Sequence, residues 1–340
     1  MKLAIYGAGS LGTILGAYLA KNNIKVDLIN RNKAHIAALK KDGAHVTGTV
    51  NFTVPVTALL PEEMAGPYDI IFLLTKQQEN EKVVKYLAPF LSEKGVICTM
   101  QNGIPEPLIA SVIGAGKTLG CTIGWGATLL GPGVAELTSN PDRESLSFSL
   151  GRISGPVDNT VLEIKKLLEI MGHVDVEENF MGARWTKLLI NATFSGLATA
   201  LGCTFGEVVD NKKSRAVAQR IMKECFDTAE ASGITLEPLQ GKNLSLLFNY
   251  RNALKRRIAF MLLPAAMKKH RSLKPSMLQD IEKGKPTEVN AINGAVSEAG
   301  KSAGIPTPFN DKTAEIIRTM ETGTLKPSMA NLSQYDGLTG

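Results

Sequence analysis

The fold is decided by the stretch Lys2-Leu3-Ala4-Ile5-Tyr6-Gly7-Ala8-Gly9-Ser10-Leu11-Gly12 near the N-terminus. Its apolar start predicts a short buried strand, and a helical pattern follows the glycines as far as Asn22. Between a strand and a helix, the spacing GxGxxG is typical of a loop that binds the pyrophosphate of a dinucleotide. The glycines allow a tight turn and close approach of the phosphate, while amides of the helix N-terminus face the negative charge. The predicted pyrophosphate loop comprises Gly7, Ala8, Gly9, Ser10, Leu11 and Gly12.

Further apolar runs alternate with helical patterns through the first half of the chain. They predict strands at residues 25–29, 70–74, 96–100 and 119–129. Alternation of strands and helices is typical of a parallel, doubly wound sheet with helices on both faces. The fold class we predict is therefore α/β: an N-terminal Rossmann-type sheet domain, followed by a second, mainly α-helical C-terminal domain.

The domain boundary is predicted from turns and from a change of pattern. A Gly-Pro-Gly turn at 131–133 and a polar hairpin connection at 139–143 suggest the end of the sheet domain. Helical spacing dominates from about 156 to 320, and the last residues are rich in Gly, Ser, Thr, Asn and Pro. We predict a dinucleotide-binding domain at 1–155, a helical substrate and catalytic domain at 156–325, and a poorly ordered tail at 326–340.

The composition is that of an ordinary globular protein. The 340 residues are 44% hydrophobic and 21% charged, enough chain for two domains with a core each. The formal net charge of +6 favours anionic ligands without requiring a polyanion. We interpret one group of basic residues as a solvated face rather than a nucleic-acid surface: Arg251, Lys255, Arg256, Arg257, Lys268, Lys269 and Arg271.

Cysteine usage and apolar runs bear on the compartment. Four cysteines lie far apart without a CxxC pair, so we predict reduced thiols and no zinc site, and the four histidines show no ligand spacing. The N-terminus leaves no room for a signal peptide before its glycine-rich turn. The apolar stretch 188–201 is shorter than the roughly 20 residues of a spanning helix, which predicts a buried helix. We expect a cytoplasmic protein without membrane, metal or nucleic-acid partners.

The end of the second predicted strand discriminates between cofactors. An acidic residue there would bind the ribose 2′-hydroxyl of NAD, but this chain has Asn30 and Arg31. A guanidinium can pair with a 2′-phosphate, which favours NADPH over NADH. An exposed Arg31 that makes no contact is the alternative.

Two later strands end in polar residues at the carboxyl edge of the predicted sheet. Lys76 follows one strand and Asn102 another, where open α/β sheets bind their ligands. Both are candidates for contacting ribose, nicotinamide or substrate. The alternatives are a solvated loop for Lys76 and a turn-forming Asn-Gly for Asn102.

Several further motifs give the sequence a family resemblance. They are Gly126-Ala127-Thr128-Leu129-Leu130-Gly131-Pro132-Gly133, Trp185-Thr186-Lys187-Leu188-Leu189-Ile190-Asn191, Ser276-Met277-Leu278-Gln279-Asp280-Ile281 with Thr287-Glu288, and Gly304-Ile305-Pro306-Thr307-Pro308. With the residues above, they resemble the ketopantoate reductase family across nearly the whole chain. That resemblance implies NADPH-dependent reduction of a 2-oxo acid to a 2-hydroxy acid, namely 2-dehydropantoate to pantoate in pantothenate biosynthesis.

The resemblance also implies the site residues. Lys187 takes the position of the family's catalytic lysine, Asn191 follows one helical turn later, and Glu288 and Ser276 match the remaining polar positions. Asn102, Lys76 and Arg31 match positions that the family uses at the sheet edge and at the 2′-phosphate. The chemistry is consistent, because hydride addition to a ketone leaves an alkoxide that needs a positive charge and then a proton. The alternatives are a solvated helix lysine for Lys187 and a helix-start residue for Glu288.

The chain departs from the family pattern at two positions. Ser195 stands where a second asparagine is common, and Phe205 precedes Gly206 where an asparagine is frequent. We expect both departures on the substrate side, where fewer polar contacts favour a less polar substrate. A dehydrogenase of the same family, acting on another branched or aromatic 2-oxo acid, is therefore the main alternative. A dinucleotide sensor without catalysis is another, and we expect a homodimer.

Overall fold

Two compact units make up the chain in the computed structural model, which describes residues 1–239 and 241–338. The first unit consists of Met1–Gln101 and Pro105–Phe180. The second consists of Asn102–Ile104 and the chain from Met181 onward. Compared with the predicted boundary at 155, the sheet unit continues to Phe180, because one more helix and one more strand pack onto its sheet.

The first unit is built on parallel β-structure. Its strands, in chain order, are β1 (Leu3–Tyr6), β2 (Val26–Ile29), β3 (Ala44–Gly48), β4 (Phe52–Val54), β5 (Thr57–Leu59), β6 (Tyr68–Leu73), β7 (Leu91–Thr99), β8 (Thr118–Ile123), β9 (Ala127–Gly131), β10 (Val134–Leu137), β11 (Phe148–Arg152) and β12 (Val174–Val176). Eight of them form one sheet in the order β12-β11-β8-β7-β6-β1-β2-β5, in which only the β8–β11 pair is antiparallel. The predicted Rossmann-type sheet is confirmed.

Helices pack on this sheet, which explains why its interior strand β1 is buried at every residue. The helices are α1 (Ser10–Lys21), α2 (Lys33–Asp42), α3 (Asn80–Leu87), α4 (Glu106–Ile113) and α5 (Asn159–Leu168). Successive strand residues face opposite sides, so Leu3 and Ile5 of β1 pack in one core, and Ala4 and Tyr6 pack in another. A strand that is buried on both faces reads as a continuous apolar run.

A second, four-stranded sheet corrects two expectations for residues 119–143. Its order is β4-β3-β10-β9, and the Gly-Pro-Gly turn at 131–133 joins its antiparallel strands β9 and β10. The predicted strand 119–129 is in fact two strands in two sheets, β8 and β9, separated by a segment containing Gly124 and Gly126. Residues 139–143 form no hairpin, because they connect β10 of the small sheet to β11 of the large one.

The second unit is mainly α-helical, as predicted. Its helices are α6 (Phe180–Ile190), α7 (Leu197–Leu201), α8 (Phe205–Asp210), α9 (Lys212–Ala231), α10 (Leu244–Phe248), α11 (Ala253–Ala266), α12 (Ser276–Glu282), α13 (Asn293–Ala303) and α14 (Pro308–Glu321). Between α6 and α7 the chain forms a π-helical turn over Asn191–Gly196. The apolar stretch 188–201 is thus a buried helix that contains a widened turn.

The end of the chain packs on the second unit instead of forming the poorly ordered tail predicted at 326–340. Met329–Tyr335 forms a 3-10 helix whose Leu332 and Tyr335 are buried. The Tyr335 hydroxyl lies 2.9 Å from the Thr313 hydroxyl of α14. The buried Asn331 adds a hydrogen bond from Nδ2 to the Ala200 carbonyl at 2.9 Å, so apolar and polar contacts together hold this largely polar segment; residues 339–340 lie outside the described part.

Helix α11 presents an unusual outward face. Leu254, Ile258 and Met261, spaced four and three residues apart, are 71%, 43% and 58% exposed, while Ala259 and Leu263 on the opposite face are buried. Within residues 1–239 and 241–338, no helix has both the length and the apolar character needed to cross a bilayer. The four cysteines are buried, and none of them forms a disulfide bond.

Candidate active site

The glycine-rich loop adopts a backbone that two of its glycines make possible. Gly7 has a φ of +101°, and a Cβ at this position would lie 2.6 Å from the amide nitrogen of Thr75. A Cβ on Gly12 would lie 2.7 Å from the carbonyl oxygen of Gly7. Any side chain at either position would displace the backbone of the loop or of the strand end beside it.

The same loop leaves room for an anion. The carbonyl of Ile29 accepts hydrogen bonds from the amides of Gly7 and Ala8, at 3.0 and 2.9 Å, which fixes the loop to the end of β2. A Cβ on Gly9 would meet no atom closer than 4.0 Å. Helix α1 begins directly after Gly9, so its first amides have no acceptor within the helix. Open space beside these amides fits the pyrophosphate of a dinucleotide.

A groove of about 280 Å³ continues from this loop along the carboxyl ends of the strands. Its lining includes Tyr6, Asn30, Arg31, Thr75, Lys76 and Glu79. The Asn30 side chain shapes the groove, since its Nδ2 donates to the Ala8 carbonyl at 2.8 Å and its Oδ1 accepts from the Asn32 amide at 2.9 Å. The structure thus brings the predicted loop, Arg31 and Lys76 to one surface.

Arg31 has a partner in this groove that sequence reasoning missed. Its Nη1 lies 2.8 Å from Oε2 of Glu79, and the two side chains are 73% and 44% exposed. The hydrogen bond from Arg31 is the main cause that lowers the pKa of Glu79 below its ordinary value. Arg31 therefore contacts a carboxylate of the same unit, and its contact with a 2′-phosphate stays a prediction.

In the second unit, the structure brings two predicted site residues into direct contact. The side-chain amide of Asn102 donates to Oε2 of Glu288 at 3.2 Å, and both residues are half-buried. Thr287 holds the backbone beside Glu288, because its amide and hydroxyl both donate to Oε1 of Glu321 at 2.6 Å. Glu288 precedes a single 3-10 turn, Val289–Ala291, and is not in the first turn of an α-helix.

Lys187 lies in the last turn of α6 and is half-buried. Its neighbours Trp185, Leu188 and Leu189 are buried, which leaves this helix without a broad solvated face. Asn191 begins the π-helical turn that comes next, and Ser195 lies within the same turn; both are half-buried. Three predicted site residues are therefore carried by one continuous helical segment.

A buried network of polar side chains supports the π-helical turn. Asn293 donates from Nδ2 to the Ala192 carbonyl at 3.1 Å and to Oδ1 of Asn310 at 2.9 Å. Asn310 in turn donates from Nδ2 to Oε2 of Glu224 at 2.7 Å. Burial raises the pKa of Glu224 to about 7. The hydrogen bonds that its carboxylate accepts from the amides of Phe309 and Asn310 lower the pKa and offset part of this effect. Sequence reasoning missed this network, whose only signal is polar residues within otherwise apolar helical patterns.

Two further predicted residues lie near the same turn. Phe205 is only 7% exposed, and its ring centroid lies 5.8 Å from that of Phe194 in the π-helical turn. It packs in the core of the second unit, so the expectation that it lines the substrate side is corrected. Ser276 is exposed at the first position of α12, a helix that packs against α7 and the π-helical turn.

No group of three His, Cys, Asp or Glu side chains among the residues that the structure describes could hold a metal ion. The buried His35 has a structural role. Its Nε2 lies 3.1 Å from the Thr13 hydroxyl, and its Nδ1 accepts the Gly133 amide at 3.0 Å. Burial lowers the pKa of His35, which keeps its ring neutral.

Two family models match successive parts of the chain. One, described as "Ketopantoate reductase PanE/ApbA", matches residues 3–147, and another, "Ketopantoate reductase PanE/ApbA C terminal", matches residues 179–321. A relative from Pyrococcus horikoshii named 2-dehydropantoate 2-reductase is 28% identical over 324 residues, which cover 94% of this chain and 98% of the relative.

Solved structures show the same fold. A ternary structure of D-mandelate dehydrogenase with NADH and anilino(oxo)acetate matches with a TM-score of 0.80 and 24% identity, over 95% of this chain and 99% of that one. A PanE/ApbA family ketopantoate reductase from Ralstonia eutropha JMP134 matches with a TM-score of 0.79 and 21% identity, over the same shares of both chains.

Proposed function

Because the chain belongs to the ketopantoate reductase family, whose members are oxidoreductases acting on CH–OH groups, we propose that it reduces 2-dehydropantoate to pantoate with NADPH, a step of pantothenate biosynthesis. The observation that carries the proposal is the contact between Asn102 and Glu288, two predicted site residues 186 positions apart in the sequence. A reductase needs both to hold a 2-oxo acid and to orient the group that protonates it.

The first unit binds the cofactor in this proposal. The glycine loop receives the pyrophosphate, Arg31 receives the 2′-phosphate, and Lys76 contacts a ribose or the nicotinamide. When bound, the reduced nicotinamide supplies a hydride to the carbonyl carbon of the substrate. The support is the open space at Gly9 and the position of Arg31 and Lys76 in one groove.

The second unit supplies the substrate contacts and the acid. The ammonium of Lys187 stabilises the negative charge that develops on the substrate's ketone oxygen. It then transfers a proton from Nζ to this oxygen, which becomes the hydroxyl group of the 2-hydroxy acid. Water then reprotonates Lys187. Glu288 accepts a hydrogen bond from Asn102 and so directs the remaining polar atoms of this amide. Asn102 and Ser276 hold the substrate carboxylate, while Asn191 and Ser195 orient the reacting group.

A second candidate is reduction of another branched or aromatic 2-oxo acid. Ser195 reaches less far than an asparagine, which leaves space and removes a polar contact on the substrate side. D-mandelate dehydrogenase, which has the same fold, is named for an aromatic 2-hydroxy acid. A dinucleotide sensor without turnover is a third candidate.

One experiment separates these candidates. Purified protein is mixed with NADPH and, in separate reactions, with 2-dehydropantoate, 2-oxoisovalerate and phenylglyoxylate, and the loss of reduced-cofactor absorbance is followed. We expect the highest kcat/KM with 2-dehydropantoate. A preference for phenylglyoxylate would favour the second candidate, and cofactor binding without turnover on any substrate would favour the sensor.

The proposal extends to assembly and location. We predict a homodimer, for which the molar mass in solution would be twice 36.4 kDa, as measured by light scattering after gel filtration. A cytoplasmic location is predicted as well, which four buried cysteines without a disulfide bond support. Recovery of the protein in an extracellular or membrane fraction would contradict this location.

A further inference from the structure

Glu79 lines the groove beside Arg31, the residue proposed to bind the 2′-phosphate that distinguishes NADPH from NADH. It follows β6 and ends the 3-10 turn Gln77–Glu79, whereas Arg31 follows β2. The two side chains meet across the groove at 2.8 Å, and both line it. Lys82 also approaches Glu79, at 3.8 Å. A carboxylate between two cations stays ionised at neutral pH.

The pair has two different consequences for the two cofactors. A 2′-phosphate adds about two negative charges to the adenosine ribose, and to bind Nη1 of Arg31 it must compete with Glu79, which accepts a hydrogen bond from that nitrogen. Glu79 then remains beside the phosphate as a like charge. An unphosphorylated ribose instead has hydroxyl groups that donate hydrogen bonds to a carboxylate, as they do to the acidic residue at the end of the second strand in NAD-binding domains. Glu79 can accept such a hydrogen bond while it stays paired with Arg31.

We propose that Glu79 sets the cofactor preference of this chain, by competing with the 2′-phosphate of NADPH for Arg31 and by offering an acceptor to the ribose hydroxyls of NADH. The carboxylate that is absent from the end of β2, where Asn30 stands, is supplied from the end of β6. The chain therefore discriminates less between the two cofactors than Arg31 alone would dictate. This inference rests on the proposed function only in that the groove binds a nicotinamide dinucleotide.

The test is a direct binding titration of NADPH and of NADH by calorimetry, without substrate. The variant Glu79→Gln keeps the size of the side chain and removes its charge. The matched control is Glu81→Gln, which changes the net charge by the same amount. Glu81 also pairs with a lysine, Lys85 at 2.6 Å, but it does not line the groove. Neither variant should alter the unfolding temperature of the free protein appreciably, since both ion pairs are exposed.

For Glu79→Gln we expect the ratio of the dissociation constants, NADH over NADPH, to increase by about tenfold, mostly through tighter NADPH binding. For Glu81→Gln the ratio should stay within about twofold of the unmodified protein, and the effect of Glu79→Gln should shrink as added salt screens the repulsion.

Two contrary results are distinguishable. Both cofactors could bind, with the same ratio of dissociation constants in Glu79→Gln as in Glu81→Gln. Glu79 then does not set the cofactor preference, and the proposed function stands. If the unmodified protein binds neither cofactor, the proposed function itself is refuted and this inference with it.

Discussion

The side-chain amide of Asn293 donates a hydrogen bond to the main-chain carbonyl of Ala192, at 3.1 Å, inside the π-helical turn. A widened turn shifts the regular hydrogen-bonding ladder of a helix, and π-helical turns are frequent at functional sites. Asn293 is fully buried, so its side-chain amide satisfies a main-chain carbonyl of Ala192 at a place without solvent access. The turn that carries Asn191 and Ser195 thus depends on a residue 101 positions beyond Ala192.

Substitution of Gly196 tests this dependence. A Cβ at Gly196 would clash with the side-chain amide of Asn293, because its nearest atom would be Oδ1 of that residue. We expect Gly196→Ala to lower the free energy of unfolding by about 1–3 kcal/mol through overpacking, as measured by chemical denaturation. Gly116→Ala is the control, since its Cβ would meet no atom within 4 Å, and it should be neutral or stabilising by up to about 1 kcal/mol. Equal effects of the two substitutions would mean that the Asn293 side chain can move away from the new Cβ without a measurable cost in stability.

Loss of Lys187 should affect turnover and spare cofactor binding. We expect Lys187→Ala to reduce kcat by roughly two to four orders of magnitude, because the reduced oxygen loses its proton donor. The dissociation constant of NADPH should stay within about twofold. Lys212→Ala, which removes an exposed lysine of the same unit, should retain full turnover. Near-normal kcat for Lys187→Ala would remove this residue from the proposed mechanism.

Glu224 should make stability depend on pH in a defined window. Its pKa in the folded protein is about 7, above the ordinary value of 4.5, so folding favours the protonated form. The resulting stabilisation is fully present below pH 4.5 and is lost as the pH rises to about 7, by about 3 kcal/mol in total.

The measurement is the free energy of unfolding of the unmodified protein minus that of Glu224→Gln, between pH 4 and pH 8. We expect this difference to fall as the pH rises through the window. His35 and His270, whose pKa values burial lowers, act with the opposite sign but are common to both proteins and cancel. A difference independent of pH would show that Glu224 titrates normally.

Removal of Arg31 should separate the two cofactors. We expect Arg31→Ala to increase the dissociation constant of NADPH by at least about tenfold, since a charge-assisted contact to the 2′-phosphate is lost. The dissociation constant of NADH should increase far less in the same calorimetric titration. Equal losses for both cofactors would mean that Arg31 does not contact the 2′-phosphate.

Local sequence predicted the features that depend on local geometry. The strand at β1, the glycine turn and the start of α1 lie within about twenty residues, where backbone requirements and hydrophobic spacing are sufficient. Asn102 was predicted from its place at the carboxyl edge of the sheet, whereas Glu288 could be chosen only through the family resemblance, because no spacing rule relates residues so far apart. The pairing of Arg31 with Glu79 was missed for the same reason: it forms only where two strand ends meet in the folded sheet.

Other features were hidden by ambiguous patterns. The run 119–129 contains no charged residue, and composition alone does not reveal that it divides between two sheets. The chain end is polar overall, yet Leu332 and Tyr335 dock it. The widened turn at Asn191–Gly196 shows in the sequence only as polar and small residues within an apolar run, and the hydrogen bond from Asn293 that supports it comes from another helix.

A segment with one residue more than a regular helix needs also fixes the angular phase of the helix after it. If residues 191–196 formed regular α-helical turns with the same number of residues, every side chain from Leu197 onward would be turned by about 100° around the helix axis relative to Lys187. Leu197 and Leu201, now buried, would then leave the core, so the wide turn is what keeps both side chains on the buried face.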